Sequence, residues 1–256
     1  PPVEKRLPEK PVVIVPVENI GKYGGTWRFV LATRIHLPHT ERLTLYDPIL
    51  RRSPDLKSIL PYLAENWKVS SGGRIYTLCL RRGVKWSDGE PFTADDILFW
   101  YEDIIYNKEL TPVFPAWFSI GGVPGKLEKV DTYTIKITFS KPNPLFLEDL
   151  ASPFYGEIFA PKHYLMQLHP KYVDKNKLEE TAKKAGFTFW YQLFSDRNDR
   201  WANPERPVLS AWKPVNSITG ATRVVWERNP YYWKVDTEGN QLPYIDRFSI
   251  EIGVSE

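Results

Sequence analysis

Apolar residues recur along this chain with two periods, and the periods divide it into strands and helices. Alternation is clearest over 129–139, where Tyr133, Ile135, Ile137 and Phe139 alternate with Thr134, Lys136 and Thr138. This predicts one strand with a buried and a wet face. Segments 27–32, 222–228 and 247–252 read as further strands, the last with Phe248, Ile250 and Ile252 inward. A hairpin is predicted over 67–80, turning at Ser70-Ser71-Gly72-Gly73. Helical spacing links Ile97, Tyr101, Ile104 and Ile105. A charged helix over 175–185 closes at Gly186, and another starts at 145. Residues 45–50 read as a short helical or turn segment limited by Pro48, and 33–44 as loop. The proline-rich 1–20 reads as an extended arm with one edge strand at 12–15. Segment 187–212 is the least regular and most aromatic part, and 236–240 is a turn.

The most fully specified stretch is 81–103, RRGVKWSDGEPFTADDILFWYED. Val84 and Trp86 close a strand, and Ser87-Asp88-Gly89 makes a turn with glycine at a positive-φ position. Thr93 is a helix N-cap, and Asp96 three residues on completes a short-acid capping box. Asp95 and Asp96 put negative charge in the first helical turn, which suits the helix dipole.

The wording of that stretch resembles the family 5 extracellular solute-binding proteins of ABC transporters, which capture peptides, oligosaccharides or nickel. The resemblance continues upstream in Leu60-Pro61-Tyr62-Leu63-Ala64-Glu65-Asn66-Trp67 and downstream in Glu227-Arg228-Asn229-Pro230-Tyr231-Tyr232-Trp233. Ala160-Pro161-Lys162-His163-Tyr164 resembles a further turn element of that family. The resemblance covers most of the chain from about Tyr23 onward. It implies an α+β / α/β mixed-sheet lobe of a periplasmic-binding-protein-like (class II, family 5) fold. The implied organisation is an arm over 1–22 and an N-terminal lobe over 23–256, with a smaller subdomain at roughly 45–205. The second lobe is expected to be absent from this chain. One departure stands out: the family's glycine turn before the ERNP strand is replaced by Val208-Leu209-Ser210-Ala211-Trp212-Lys213. The insertion at 234–244 and the NPERP run at 203–207 resemble the oligosaccharide-binding branch.

Composition changes this picture little. The 256 residues include 23 prolines, which favour loops over long helices, and 10 tryptophans, more than a core of this size needs. Net charge is only +3 with dispersed Lys and Arg, so no nucleic-acid groove is expected. No apolar run approaches the ~20 residues of a spanning helix. No signal peptide is visible; for an exported protein, periplasmic or extracellular, that corresponds to a mature form. The single Cys79 reads as a buried small hydrophobe.

Candidate chemistry narrows by type. His36, His39, His163 and His169 carry no metal-site spacing, and neither a cofactor nor a metal is expected. No nucleophile elbow is present. Glu148, Asp149 and Glu157 offer carboxylates for a glycosidase pair, but sequence does not set their separation. The aromatics remain. Indole faces suit the CH-rich faces of a pyranose, and Asn, Gln, Arg and Asp suit its hydroxyl rim. The expected ligand platform is Trp190, Trp201 and Trp212, with Arg34 and His36 reaching in past the end of the first strand. Trp27, Trp86 and Trp100, in periodic elements, are expected in the core. A peptide would need fixed charges for its termini, for which Arg34 or Arg197 is available. The resulting expectation is a non-catalytic receptor that delivers an oligosaccharide to an ABC-transporter permease. The alternatives are an oligopeptide receptor and, from another class, a carbohydrate-active hydrolase. An exposed sheet edge is expected to favour self-association.

Overall fold

The computed structural model describes residues 5–33, 47–152, 154–201 and 203–253. The main strands, in chain order, are β1 (Thr26–Leu31), β2 (Ala64–Ser70), β3 (Ile75–Leu80), β4 (Lys126–Asp131), β5 (Thr134–Thr138), β6 (Trp212–Pro214), β7 (Arg223–Arg228) and β8 (Arg247–Ile252). The chain forms two compact units. The first comprises 1–46, 83–91 and 195–256, and the second 47–82 and 92–194.

The first unit holds a four-stranded mixed sheet in the order β6-β7-β8-β1. β6, β7 and β8 are antiparallel, and β1 joins β8 in parallel with Trp27 opposite Phe248. Alternation buries Val224 and Trp226 of β7 and Phe248, Ile250 and Ile252 of β8. The Trp226 ring lies 4.4 Å from Phe248 at 7°, a near-parallel stack at the centre of this core. The N-terminal arm is tied down by Val12–Val13, which pairs in parallel with Lys234–Val235. The turn at 236–240 is organised by Asp236. Its carboxylate accepts from the amides of Glu238 (2.8 Å) and Asn240 (2.9 Å), the Asn240 side chain (2.9 Å) and the Tyr244 hydroxyl (2.6 Å).

The second unit holds an antiparallel sheet in the order β2-β3-β5-β4. The hairpin expected over 67–80 forms with its turn in place, Ser71, Gly72 and Gly73 all at positive φ. Tyr76, Leu78, Leu80, Ile135 and Ile137 line the buried face. Helix α1 (Ala94–Phe99) starts as the sequence dictates. The Thr93 hydroxyl accepts from Asp95 N (3.2 Å), and Asp96 accepts from Thr93 N (2.9 Å). The second Asp96 oxygen takes the amide of Lys162 (3.1 Å) and so caps helix Lys162–Leu165 as well.

Five expectations are corrected. The strand read over 129–139 is a hairpin: the chain reverses at Thr132 and Tyr133, and Tyr133 sits in the turn. The Asp131 carboxylate accepts from Tyr133 N (2.8 Å), a local side-chain turn that competes with an extended run. Val84 and Trp86 lie beside an isolated bridge, Lys85 with Pro91, and close no strand. In 45–50, the described residues give no helix; Leu50–Arg52 is a strand paired with Ile59–Pro61. Segment 187–212 contains helix Trp190–Asn198, whose side chains Trp190, Leu193 and Phe194 are buried. Cys79 is only half-buried, because Tyr76, Leu78 and Leu80 hold the inner face of β3.

Candidate functional site

In the second unit, α1 runs on into a π-helical segment, Trp100–Ile105. The wider turn carries Trp100 and Tyr101 towards a short 3-10 turn, Ala116–Phe118. Their rings form one array. Trp100 lies 6.3 Å from Trp117 and 5.7 Å from Phe118, and Tyr101 lies 5.9 Å from Phe118. Phe118, Phe139 and Phe146 are its buried floor. Trp117 is half-buried above them. It is near-parallel to Phe146 (6.4 Å, 15°) and to Tyr155 (5.2 Å, 23°). Tyr155 is 41% exposed and its neighbour Phe154 64%. Tyr106, 45% exposed, extends the face, its ring 5.0 Å from half-buried Phe114.

Two glycines make this packing possible. A Cβ at Gly125 would come within 2.6 Å of the Phe139 ring, and the Gly125 carbonyl accepts from the Tyr101 hydroxyl (3.0 Å). A Cβ at Gly156 would meet the carbonyl of Leu150 at 2.6 Å. The close packing of the backbone next to Tyr155 therefore requires glycine at 156. Burial pushes the Tyr101 phenol's pKa up, so it stays a hydrogen-bond donor. The short helix Phe146–Leu150, which supplies the floor, also carries Glu148 and Asp149. Glu148 pairs with Arg52 (2.6 Å). Burial, reinforced by Glu148, pushes the Asp149 carboxyl up. The array can take flat apolar faces, such as sugar rings or side-chain rings, against indole and phenol.

The first unit offers a different surface. An open pocket of about 470 Å³ is lined by Gly25, Thr26, Glu227, Arg228, Asp246 and Arg247. Arg247 pairs with Glu227 (2.8 Å) and Arg228 with Asp246 (3.8 Å), so its charges sum to zero. The pocket sits at the amino ends of the parallel strands β1 and β8. Ligand clefts of open α/β sheets lie at carboxyl ends.

The five residues expected to bind ligand are placed differently from one another. Arg34 and His36 lie outside the described residues. Trp190 is 1% exposed, packed with Phe99, Leu165, Leu178 and Phe194, and its indole N–H donates to Glu109 Oε2 (3.2 Å). Trp212 is 8% exposed, and its N–H donates to the Ile245 carbonyl (3.1 Å). Neither ring has a face free for a sugar, so the platform expectation is corrected for these two: burial with a satisfied N–H makes them core. Trp201 is half-buried, edge-on to Trp226 at 5.3 Å. The tryptophans expected in the core divide as well. Trp86 is fully buried, Trp100 is half-buried in the array, and Trp27 on edge strand β1 is 39% exposed.

Comparison with known proteins decides the family. The model of the bacterial extracellular solute-binding proteins, family 5 Middle, matches residues 58–256. This chain belongs to the family 5 solute-binding proteins. It is 34% identical to a periplasmic alpha-galactoside-binding protein of Rhizobium meliloti, over 98% of this chain and 37% of that protein. Among solved structures it is similar to an oligopeptide-binding protein OppA at 45% identity and TM-score 0.91, over 100% of this chain and 39% of that one. It is also similar to MelB from Agrobacterium fabrum C58, solved with stachyose, at 30% identity and TM-score 0.78, over 98% of this chain and 38% of that one. The chain thus spans well under half the length of these relatives. Their mixed helix-and-sheet, periplasmic-binding-protein-like fold is the one expected from the sequence.

Within this family 5 chain, sequence reasoning missed Trp117, Tyr155 and Phe154. A signal was available. Phe114-Pro115-Ala116-Trp117-Phe118 and Pro153-Phe154-Tyr155-Gly156 are proline-broken aromatic runs with no helical period. The criterion that pointed to 187–212 applies better to them.

Proposed function

We propose that this chain is part of a two-lobed, exported solute-binding protein that captures an oligosaccharide and delivers it to the membrane permease of an ABC importer. The observation that carries this reading is the half-exposed, near-parallel pair Trp117 and Tyr155, flanked by Trp100 and Phe154. Rings fixed from below by a buried aromatic floor present stacking surface at little cost in side-chain freedom. The relatives that bind an alpha-galactoside and stachyose support the sugar class. Trp201, with Arg34 and His36, is retained as a second group of candidate contacts. Family membership supports a binding rather than a catalytic role, and no turnover of an aryl α-galactoside is expected. Half a cleft buries less of a ligand than a whole one, so affinity here is expected to be weaker than in a two-lobed protein. Edge strand β1, with Trp27 and Val30 exposed, favours self-association of the isolated chain.

Calorimetry with stachyose, on this chain and on Trp117→Ala, tests the reading. Binding that weakens in the variant while its melting temperature stays within a few degrees supports it. Equal binding by both, or binding of trialanine in place of stachyose, sinks it. The second outcome favours the oligopeptide reading, for which the 45% identity to OppA is the supporting observation.

A further inference from the structure

On the π-helical segment, Asp103 is the centre of a buried polar cluster within the second unit. Its carboxylate accepts from Lys171 Nζ (2.7 Å) and from the Tyr172 hydroxyl (2.6 Å). Its backbone carbonyl faces His169 Nε2 at 3.0 Å. In a regular α-helix that carbonyl would accept from the amide of residue 107. Here Asn107 N donates to the Ile104 carbonyl instead (3.2 Å). The imidazole therefore takes over a backbone acceptor that the end of the π segment leaves to it.

The Lys171 amide assigns the ring proton of neutral His169. Nδ1 lies 3.2 Å from the amide of Lys171, which can only donate, so Nδ1 accepts and carries no proton. The single ring proton sits on Nε2 and points to the Asp103 carbonyl. Asn107 turns its side-chain NH2 to Nε2 at 3.1 Å, its oxygen being held by the Glu109 amide (2.9 Å); that donor gains no hydrogen bond from a protonated Nε2, so the Asp103 carbonyl is the partner the ring proton serves. The ring is 4% exposed and edge-on to Trp190 (5.5 Å), with Phe194 (6.0 Å) and Phe99 (6.2 Å) around it. A second proton would set Nδ1–H against the Lys171 N–H, donor against donor, inside an aromatic shell.

We propose that His169 is an acid-sensitive latch: neutral, it holds the π-helical turn in place, and protonated, it releases it. The charged groups facing it are consistent with a ring kept neutral. From the π segment come Asp103 and Glu102; Asp103 is ion-paired with Lys171 and hydrogen-bonded by the Tyr172 hydroxyl, and Glu102 is also paired with Lys171. From the following turn comes Glu109, engaged by Lys175 (3.1 Å) and by the Trp190 indole. Lys171 lies on the ring's own loop, and the helix bearing Trp190 and Phe194 faces it with rings. Burial pushes the imidazole below its ordinary range, against the opposing pull of Asp103. The sign follows: a depressed folded-state value gives stability that is full above the ordinary ~6.5 and lost as pH falls below it. Because Trp100 rides on the same turn, acid loosens one flank of the aromatic array.

This inference concerns the turn itself and stands whether or not the array takes sugar. Hydrogen exchange over 99–107, corrected for intrinsic rates, is compared at pH 7.5 and 5.0. The wild-type chain is set against His169→Gln, which keeps a donor for the Asp103 carbonyl and does not titrate. Exchange should be about tenfold faster at pH 5.0 in the wild type and unchanged in the variant. His36, His39 and His163 are present in both, so their titration cancels. Equal acceleration in both chains, or none in the wild type, overturns the latch. If the variant does not fold, the wild-type His169 ring is titrated by NMR after the other three histidines are replaced. A midpoint below 6.5, with the amide shifts of 103–107 moving together with it, is expected; one at or above 6.5 overturns the proposal.

Discussion

Segments 187–212 and 114–118 carry the same kind of sequence, aromatic residues broken by proline, and the structure uses them in opposite ways. In the first, four turns' worth of residues free of proline precede Pro204, and they close into helix Trp190–Asn198. That helix turns Trp190 and Phe194 into the core. In the second, Pro115 limits the local structure to three residues, Ala116–Phe118. One ring there, Phe118, goes inward, and the other, Trp117, remains half-exposed. A proline marks a surface segment only when it falls where the helix would form. The two buried indoles of 187–212 each find an acceptor for the N–H: Trp190 in Glu109, and Trp212 in the Ile245 carbonyl.

The largest test of this contrast is the pair Trp190→Ala and Trp117→Ala. Emptying the Trp190 site should cost about 3–5 kcal/mol of fold stability, read as a large fall in urea midpoint. The Trp117 change should cost less than half as much while removing about 1–3 kcal/mol of stachyose binding. Equal destabilisation by the two would erase the distinction between core and face. Next in size is the cap that starts the helix leading into the array. Thr93→Ala should cost about 1 kcal/mol by denaturant titration. Asp96→Asn should cost more, since two helix starts share that carboxylate. Trp212→Phe removes one hydrogen bond, an expected loss of about 0.5–1.5 kcal/mol, and adds a cavity cost because phenyl is smaller than indole. A neutral result would mean that neither the N–H nor the larger ring contributes to holding Trp212 in the core.

The smallest test is acid stability in the first unit, far in sequence from the array. Burial pushes the Asp236 carboxyl up, but hydrogen bonds from Tyr244, Asn240 and Glu238 outweigh it and bring the group down to about 2. A depressed carboxyl contributes stability that is present above its ordinary value near 3.8 and lost as pH falls towards 2. Asp236→Asn should therefore flatten the melting profile between pH 4 and 2 and leave it parallel to the wild type above pH 5.

What was legible in the sequence follows from how local its cause is. The Thr93 cap, the 70–73 turn, the Gly186 helix stop and the alternation in β8 depend on neighbours within a few residues, and each was readable. The 129–139 strand was misread because the Asp131 turn is equally local but weaker than the alternation around it. The array was missed because its rings come from 100, 117, 146 and 155, and only tertiary packing brings them together. The acceptor of the buried Trp190 indole, Glu109, is likewise 81 residues away in the chain.

The parallel pairing of β1 with β8 has a consequence in time. Its partners are separated by roughly 220 residues. At a synthesis rate of about 5–20 residues per second, β1 waits on the order of 10–40 seconds for its neighbour to be made. The second unit has its sheet complete by Thr138. β1 can pair only after β8 has been made, whereas every strand of the second unit's sheet is available much earlier in the chain.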